Sequence, residues 1–366
     1  MAKQNLKEYL QDPFLNTLFQ EIRQAGAVKS ILVDITHTCN IRCEGCYFFA
    51  EDMDKMKAPK DEHVFDDFIS QEKARGTNFV TVTGGEPSLK LPRLKKLHDN
   101  FNTTVVTNGL RKIPVEGFED LPIGLSVWGD HETDTRLRGG GKIEVFKKAL
   151  KNYKDDPRVM LYYTTTPGNA HEIESVVEQG VQNGLPILFS YYGDISNKGG
   201  DIDHNRGFGE VRSNIDKMIE KYPHMIMTSS YLSKVISTGM LYNEKWGYEN
   251  CCSVSVDNDK NAEKLKNGKP FNPHFNAYNP DLASTRRCCI GEERDCDNCY
   301  DLWAHYSWIM LNMRKHLGSK QEFTNWLTSM YSFYLINRLV DFEKGMTYVA
   351  EMNKRIGILT KKELVS

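Results

Sequence analysis

The chain has 366 residues, 40% of them apolar, a formal charge of −2 and nine cysteines. That length accommodates one large domain and a smaller one. The near-neutral balance gives no footing for nonspecific nucleic-acid or acidic-membrane binding, and no run approaches the ~18 apolar residues of a membrane span. Residues 1–8 lack the apolar core of a secretory signal, so a cytoplasmic location is expected. In that reducing compartment, cysteines hold metals more readily than disulfides. Three lie between 39 and 46, and six between 251 and 299.

Leu6, Leu10, Phe14, Leu15, Leu18, Phe19 and Ile22 recur at three- and four-residue steps, so 5–26 reads as helical. Asp12-Pro13 supplies an N-cap and first turn, and Gly26 a stop. This segment is expected beside the first strand. A strand over 30–36 precedes a helix over 61–75, with Val64, Phe65, Phe68 and Ile69 on one face. Then follow a strand at 78–83, a helix at 91–98, strands at 103–107 and 123–127, a helix at 142–153, a strand at 159–165, a helix at 171–182 and a strand at 186–191. Six strand-then-crossover units require a parallel sheet, hence the α/β class. A polar, glycine-rich loop at 193–206 is long enough to be functional or mobile. Helices at 208–221 and 229–239, a boundary near 240, a cysteine-rich segment and helices over 302–357 complete the chain. The plan is a helical segment 1–28, a core domain 29–240 and a cysteine-rich domain with a helical cap, 241–366.

Cys39, Cys43 and Cys46 stand at Cys-x3-Cys-x2-Cys spacing directly after the first strand, with Tyr47 next. Three thiolates can hold three irons of a cubane cluster and leave the fourth open to a small molecule. A zinc knuckle would pair Cys-x2-Cys with a second close pair. The stretch resembles the cluster-binding loop of the radical S-adenosylmethionine (radical SAM) superfamily. The resemblance implies a partial (β/α)6 TIM-like barrel, a [4Fe–4S] cluster and S-adenosylmethionine. It covers roughly 28–192, and 250–300 more loosely.

Ligands in such folds sit at the carboxyl ends of the strands. Thr83-Gly84-Gly85-Glu86-Pro87 ends strand two, where glycines let backbone approach a ligand closely; by itself it could be a plain turn. It resembles the family's GGEP motif, implying that Gly84, Gly85, Glu86 and Pro87 receive the methionyl amino group. Thr107-Asn108-Gly109 is either a simple turn or, by resemblance, a cofactor contact through Asn108. Ser126, Arg136 and Arg138 resemble a stretch that meets the cofactor's ribose and carboxylate, although Trp128 stands where Asp is common; Asp130 is the expected substitute. Asn169 reads as a helix cap in preference to a cofactor contact. His37 is a loop residue or tunes the cluster through a hydrogen bond.

The second group is Cys251-Cys252, Cys288-Cys289, Cys296 and Cys299. It resembles the SPASM and twitch extensions that hold auxiliary clusters. Six cysteines are too few for two fully ligated clusters, so one site is expected, with Cys252, Cys289, Cys296 and Cys299 as ligands of an auxiliary [4Fe–4S] cluster or of zinc. Inert buried thiols are the plain alternative, and a left-over thiol returning a hydrogen atom is another. Aromatics from Trp303 to Tyr334 read as the core of the helical cap, or else as a substrate groove.

The resemblance thus implies an enzyme that cleaves S-adenosylmethionine to a 5′-deoxyadenosyl radical, which takes hydrogen from a small-molecule substrate. A reductant such as flavodoxin or ferredoxin is its expected partner. No catalytic residue beyond the cofactor contacts is assigned. With only about thirty residues before the first strand, neither a cobalamin-binding domain nor a peptide reader is expected. The alternatives are a maturase of a ribosomal peptide or protein, and a non-enzymatic iron–sulfur carrier, for which a glycine-lined rim has no use.

Overall fold

Six strands built from Val, Ile, Leu, Thr and aromatic residues form the core of the computed structural model, which describes residues 2–193, 208–292 and 295–363. They are β1 (Ser30–Asp34), β2 (Phe79–Thr83), β3 (Asn102–Thr107), β4 (Ile123–Val127), β5 (Val159–Thr165) and β6 (Ile187–Tyr191). Neighbours in sequence are neighbours in the sheet, and every pair is parallel. Register partners such as Ile31 with Val80, Val82 with Val105 and Leu125 with Leu161 are apolar along the whole width. Both faces are covered, as all-parallel sheets require. The expected radical SAM-type partial barrel is therefore present, with a helical, cysteine-bearing C-terminal region. The polar loop expected at 193–206 lies, from 194 on, outside the described residues.

The crossover helices carry the signals that the sequence predicts. Asp61 caps the helix Glu62–Arg75 by accepting from the His63 N–H at 2.9 Å, and Gly76 ends it at φ 89°. Phe65, Phe68 and Ile69 face the core, each burial stabilising by about 1.5–3 kcal/mol. Val64 is 44% exposed instead. The buried stripe continues to Glu72, so it runs 65, 68, 69, 72, and Val64 falls just off its edge. The helix His131–Leu137 was not anticipated, nor were the shorter helices Tyr47–Ala50 and Ala262–Lys266.

The region after residue 240 adds to the same sheet. Following a short hairpin, β7 (Met240–Leu241) and β8 (Glu244–Lys245), strand β9 (Ala277–Tyr278) pairs parallel to the free side of β1, and β10 (Thr285–Arg286) pairs antiparallel to β9. Arg286 is fully buried and its guanidinium lies 2.6 Å from Asp34 at the end of β1. From there the chain crosses to the other edge, where the Tyr300 ring lies 4.5 Å from Phe208 and next to Gly193 beyond β6. Arg286 thus stands on the β1 side of the sheet mouth and Tyr300 on the β6 side.

The helices Leu302–Leu311, Lys320–Ile336 and Phe342–Glu363 form the cap. Tyr306, Trp308, Phe323, Trp326, Tyr331 and Tyr334 are buried core, as their helical spacing predicts. The N-terminal helices Ala2–Tyr9 and Pro13–Ala25, expected beside β1, dock here: Tyr331 donates to Glu21 at 2.6 Å and Tyr334 to the Gly26 carbonyl at 2.7 Å. Among the described residues no helix is long and apolar enough to cross a membrane.

Candidate active site

The loop after β1 carries Cys39, Cys43 and Cys46 and is clamped to the loop after β2. The Gly85 N–H donates to the Thr36 carbonyl at 3.0 Å, and the Glu86 N–H to the Thr38 carbonyl at 2.9 Å. The two backbones approach so closely that a Cβ on Gly85 would collide with the Thr38 carbonyl. A Cβ on Gly84, whose φ is +125°, would sit 3.0 Å from the Thr36 carbonyl oxygen. Sequence reasoning assigns these missing side chains to ligand approach. The space is filled instead by the chain's own backbone, although both residues also line the cavity described below.

Glu86 is likewise committed within the protein. Its buried carboxylate accepts from the Ser88 N–H (2.9 Å), the Thr107 hydroxyl (2.6 Å) and the Asn108 N–H (2.9 Å). Three donors on one carboxylate fix the end of β3 against the β2 loop. Pro87 begins a buried 3-10 turn and is not on the cavity wall. Asn108 accepts from the Leu110 N–H at 3.0 Å, making the turn, and donates to the Asn40 side chain at 2.7 Å, reaching the cysteine loop. Further ties come from Glu44 N–H to the Leu137 carbonyl (2.7 Å) and the Tyr192 hydroxyl to the Gly45 carbonyl (3.2 Å). His37 accepts from the Ala58 N–H at 3.1 Å and so serves the loop itself.

The β4 end supplies a buried ion pair. Arg138 donates to the Asp134 carboxylate at 3.0 Å and to the Ser126 carbonyl at 2.5 Å, and its guanidinium meets the Cys43 thiol. Asp134 also accepts from the Trp128 and Phe146 N–H groups, each at 3.0 Å. Arg136 is exposed and off the cavity wall. Two helical residues turn the side chain by about 200°, so only one of the two arginines can face inward. Asp130, expected to replace the missing Asp at Trp128, caps the helix His131–Leu137 by accepting from the Glu132 and Thr133 N–H groups. Asn169 completes a capping box with Thr166, as its cap reading predicts.

These groups open onto one cavity of about 310 Å³ at the carboxyl ends of the strands. Cys39, Cys43, Cys46, Gly84, Gly85, Glu86, Asn108, Ser126 and Arg138 line one part of it. Tyr162, Ser190, Tyr192, Cys289, Tyr300, Asp301 and Trp303 line the rest, so the C-terminal region completes the site. Burial pushes the Cys39 thiol up to about 11 and the Cys46 thiol up to about 12. Cys43 is raised too, with Arg138 opposing the effect of burial. The metal-free chain therefore holds these thiols protonated. The three are one another's electrostatic neighbours, the donor set a three-cysteine cubane needs.

A second cavity of about 30 Å³ is ringed by Cys251, Cys288, Cys289, Cys296 and Cys299. Cys252, expected as a ligand, is absent from its wall: its thiol is buried against Ser307 and is raised to about 11. Adjacent residues of an extended chain point opposite ways, and of this pair it is Cys251 that lines the cavity. Cys289 borders both cavities, and its thiol is hydrogen-bonded to Asp301. Among the described residues no three such groups converge on a point where one ion would sit. Sequence reasoning did not single out Asp301 and Tyr192 on the cavity wall or Asp134 behind it; Trp303 and Cys251 carried a signal there, as one of the groove aromatics and as one of an adjacent cysteine pair.

Residues 33–194 match the model of the radical SAM superfamily. A curated relative, the Fe-coproporphyrin III synthase of Methanosarcina barkeri (strain Fusaro / DSM 804), is 23% identical over 211 residues, 53% of this chain and 51% of that protein. The chain thus spans about half the length of that relative. Streptococcus suis SuiB bound to S-adenosylmethionine aligns with TM-score 0.41 at 14% identity, over 53% of this chain and 48% of SuiB. The anSMEcpe protein with bound AdoMet and Cp18Cys peptide aligns with TM-score 0.48 at 14% identity, over 81% of this chain and 84% of that one.

Proposed function

We propose that this chain, an enzyme whose residues 33–194 form a domain of the radical SAM superfamily, uses S-adenosylmethionine to remove a hydrogen atom from a small-molecule substrate. When bound, a [4Fe–4S] cluster with S-adenosylmethionine supplies one electron to the sulfonium and thereby a 5′-deoxyadenosyl radical. Cys39, Cys43 and Cys46 would hold three of the irons. The observation that carries this reading is the clamp between the cysteine loop and the Gly84–Gly85 loop, which sets three buried thiols on the wall of one cavity at the strand ends.

The chain's own residues then bind, orient and enclose. The rim at Gly84, Gly85, Glu86 and Asn108 faces the cofactor with backbone that Glu86 and Asn40 hold rigid, and Ser126 lies beside it. Arg138 gives one terminal nitrogen to Asp134 and Ser126, which holds Cys43 and the β4 end, while its Nε is buried without a partner and keeps a donor for the cofactor. Cys289, Ile290, Tyr300, Asp301 and Trp303 close the cavity, and the aromatic walls exclude water from a reactive radical. In domain terms, 29–240 carries the radical chemistry. Residues 241–366 supply a substrate wall and an auxiliary [4Fe–4S] site drawn from Cys251, Cys288, Cys289, Cys296 and Cys299.

The name of the archaeal relative, a synthase of a coproporphyrin, supports a small-molecule substrate over a peptide. A flavodoxin or ferredoxin in a reducing cytoplasm suits the electron demand. The test is anaerobic reconstitution with iron and sulfide, then dithionite and S-adenosylmethionine. 5′-Deoxyadenosine should accumulate with the native chain and be lost in Cys43→Ala. A fully iron-loaded protein that releases none would end the proposal.

A further inference from the structure

The wall of the thiol-ringed cavity carries two N–H donors that the protein leaves without an acceptor. Trp246 is 3% exposed and stacks on His305 with ring centres 3.9 Å apart, yet its indole N–H is buried with no partner among the described residues. Arg287 sets its guanidinium 4.3 Å from the centre of the Tyr248 ring, and its Nε–H is likewise buried and unpartnered. The electrostatic neighbours of that guanidinium include the Cys296 and Cys288 thiols. Other polar groups here are provided for. The Tyr248 hydroxyl donates to Asn261 at 3.0 Å, and the Arg287 backbone N–H donates to the Glu292 carboxylate at 2.9 Å.

A buried N–H without an acceptor is costly, and folded proteins keep few of them. Both of these border the same ring of cysteines, so the acceptor they lack is one that the ring would bring. Protonated thiols accept weakly. Thiolates and inorganic sulfides are anionic acceptors with lone pairs to spare. Four thiolates outweigh the charge of an iron–sulfur core, so the assembled centre is an anion, and reduction adds to its negative charge. Hydrogen bonds to the sulfurs and a nearby cation therefore stabilise the reduced state more than the oxidised one, which raises the reduction potential.

We infer that Trp246 and Arg287 are positioning residues of the auxiliary centre: the indole N–H and the Nε–H donate to its sulfur atoms and raise its reduction potential. The inference rests on the reading of this cavity as an auxiliary [4Fe–4S] site, and it deepens that reading.

The experiment is a redox titration, followed by electron paramagnetic resonance, of full-length protein carrying Cys39→Ala, Cys43→Ala and Cys46→Ala, so that the auxiliary centre alone reports. About four irons per chain should remain after anaerobic reconstitution. Losing one hydrogen bond to a charged acceptor should disfavour reduction about tenfold, which is a fall of about 59 mV for a one-electron couple. Trp246→Phe keeps a ring against His305 and should lower the midpoint by about that amount. Arg287→Met also removes the cation and should lower it at least as far. A side chain that only packs would alter iron content or the thermal midpoint and leave the potential where it was. The native side chain is read directly by pulsed resonance on reduced protein with nitrogen-15 in its tryptophan indoles. A nitrogen coupling should be present, and it decides the matter for Trp246 if Trp246→Phe sheds its iron. Full iron with an unchanged midpoint in either variant, or no nitrogen coupling in the native protein, would overturn the inference and leave the auxiliary cluster standing. A triple variant that binds no iron, or one zinc, would overturn the auxiliary-site reading and the inference with it, while 5′-deoxyadenosine release by the native chain tests the first site separately.

Discussion

Gly85→Ala tests what the double glycine is for. If the missing side chain serves only ligand approach, the metal-free protein should not notice the methyl. The structure says otherwise. The new Cβ would collide with the Thr38 carbonyl and lie 2.9 Å from the Cys39 nitrogen. Both neighbours are backbone, so no side chain can swing away, and the loops must part. Parting them breaks Gly85 N–H to Thr36 O (3.0 Å) and Glu86 N–H to Thr38 O (2.9 Å), each worth about 1 kcal/mol net. Overpacking adds about 1–3 kcal/mol. The expected loss is about 3–5 kcal/mol, read as a fall in the urea midpoint of iron-free protein. Because the displaced segment carries Cys39, iron bound per chain after reconstitution should fall as well. Gly140→Ala is the control: its φ is +58° but a Cβ there meets nothing within 4 Å, so only the left-handed strain of about 1–2 kcal/mol applies. If Gly85→Ala matches the wild type in urea and differs only in ligand affinity, the packing argument is refuted.

Three further outcomes follow from the same geometry. Cys251→Ala should lose the auxiliary cluster, seen as reduced iron and a missing component in the electron paramagnetic resonance spectrum, whereas Cys252→Ala should keep it; the reverse pattern would restore the ligand set expected from the sequence. Arg138→Met strands Asp134, which is fully buried, and should cost about 3–5 kcal/mol in thermal or urea unfolding, with most of the loss recovered by adding Asp134→Asn. His305 is fully buried, and burial lowers its pKa from 6.5 to about 4. Folding then favours the neutral ring, so its contribution is complete above about pH 6.5 and is lost as pH falls toward 4. By linkage the full loss is about 3 kcal/mol. Urea midpoints of metal-free wild type and His305→Gln should converge in their pH dependence only if this ring is not the titrating group.

The sheet was legible because short stretches rich in apolar, β-branched and aromatic residues, β1 to β6, alternate with helical ones. The strands β9 and β10 were not, since two residues each carry no periodicity; they pair only because Arg286 finds Asp34 across 252 positions of chain. The same limit governs the site. Cys39, Cys43 and Cys46 declare themselves by spacing within one loop. Choosing Cys251 over Cys252, or Arg138 over Arg136, requires knowing which way a side chain points, and neighbouring residues differ in that by half a turn or more. Asp301 looks like any other helix cap in sequence, and its place on the cavity wall is visible only in space.

The Asp34–Arg286 pair joins the two cysteine regions physically. Asp34 ends β1, five residues before Cys39, and also accepts from the Thr83 hydroxyl at 2.7 Å beside the Gly84 turn. Arg286 stands three residues before Cys289 and lies 5.7 Å from the Tyr47 ring, next to Cys46. Nε and one terminal nitrogen of Arg286 have no partner, so Asp34 is the main compensation for a fully buried cation. Removing it should cost about 3–5 kcal/mol. Asp34→Ala should therefore act at both ends at once, lowering iron retention in the first site and loosening the wall that bears Asp301. Limited proteolysis of the iron-free variant should cut first within 279–300. Cleavage confined to the cysteine loop at 39–46 would show that the two regions are independent, and that the C-terminal segment closes the site without being coupled to it.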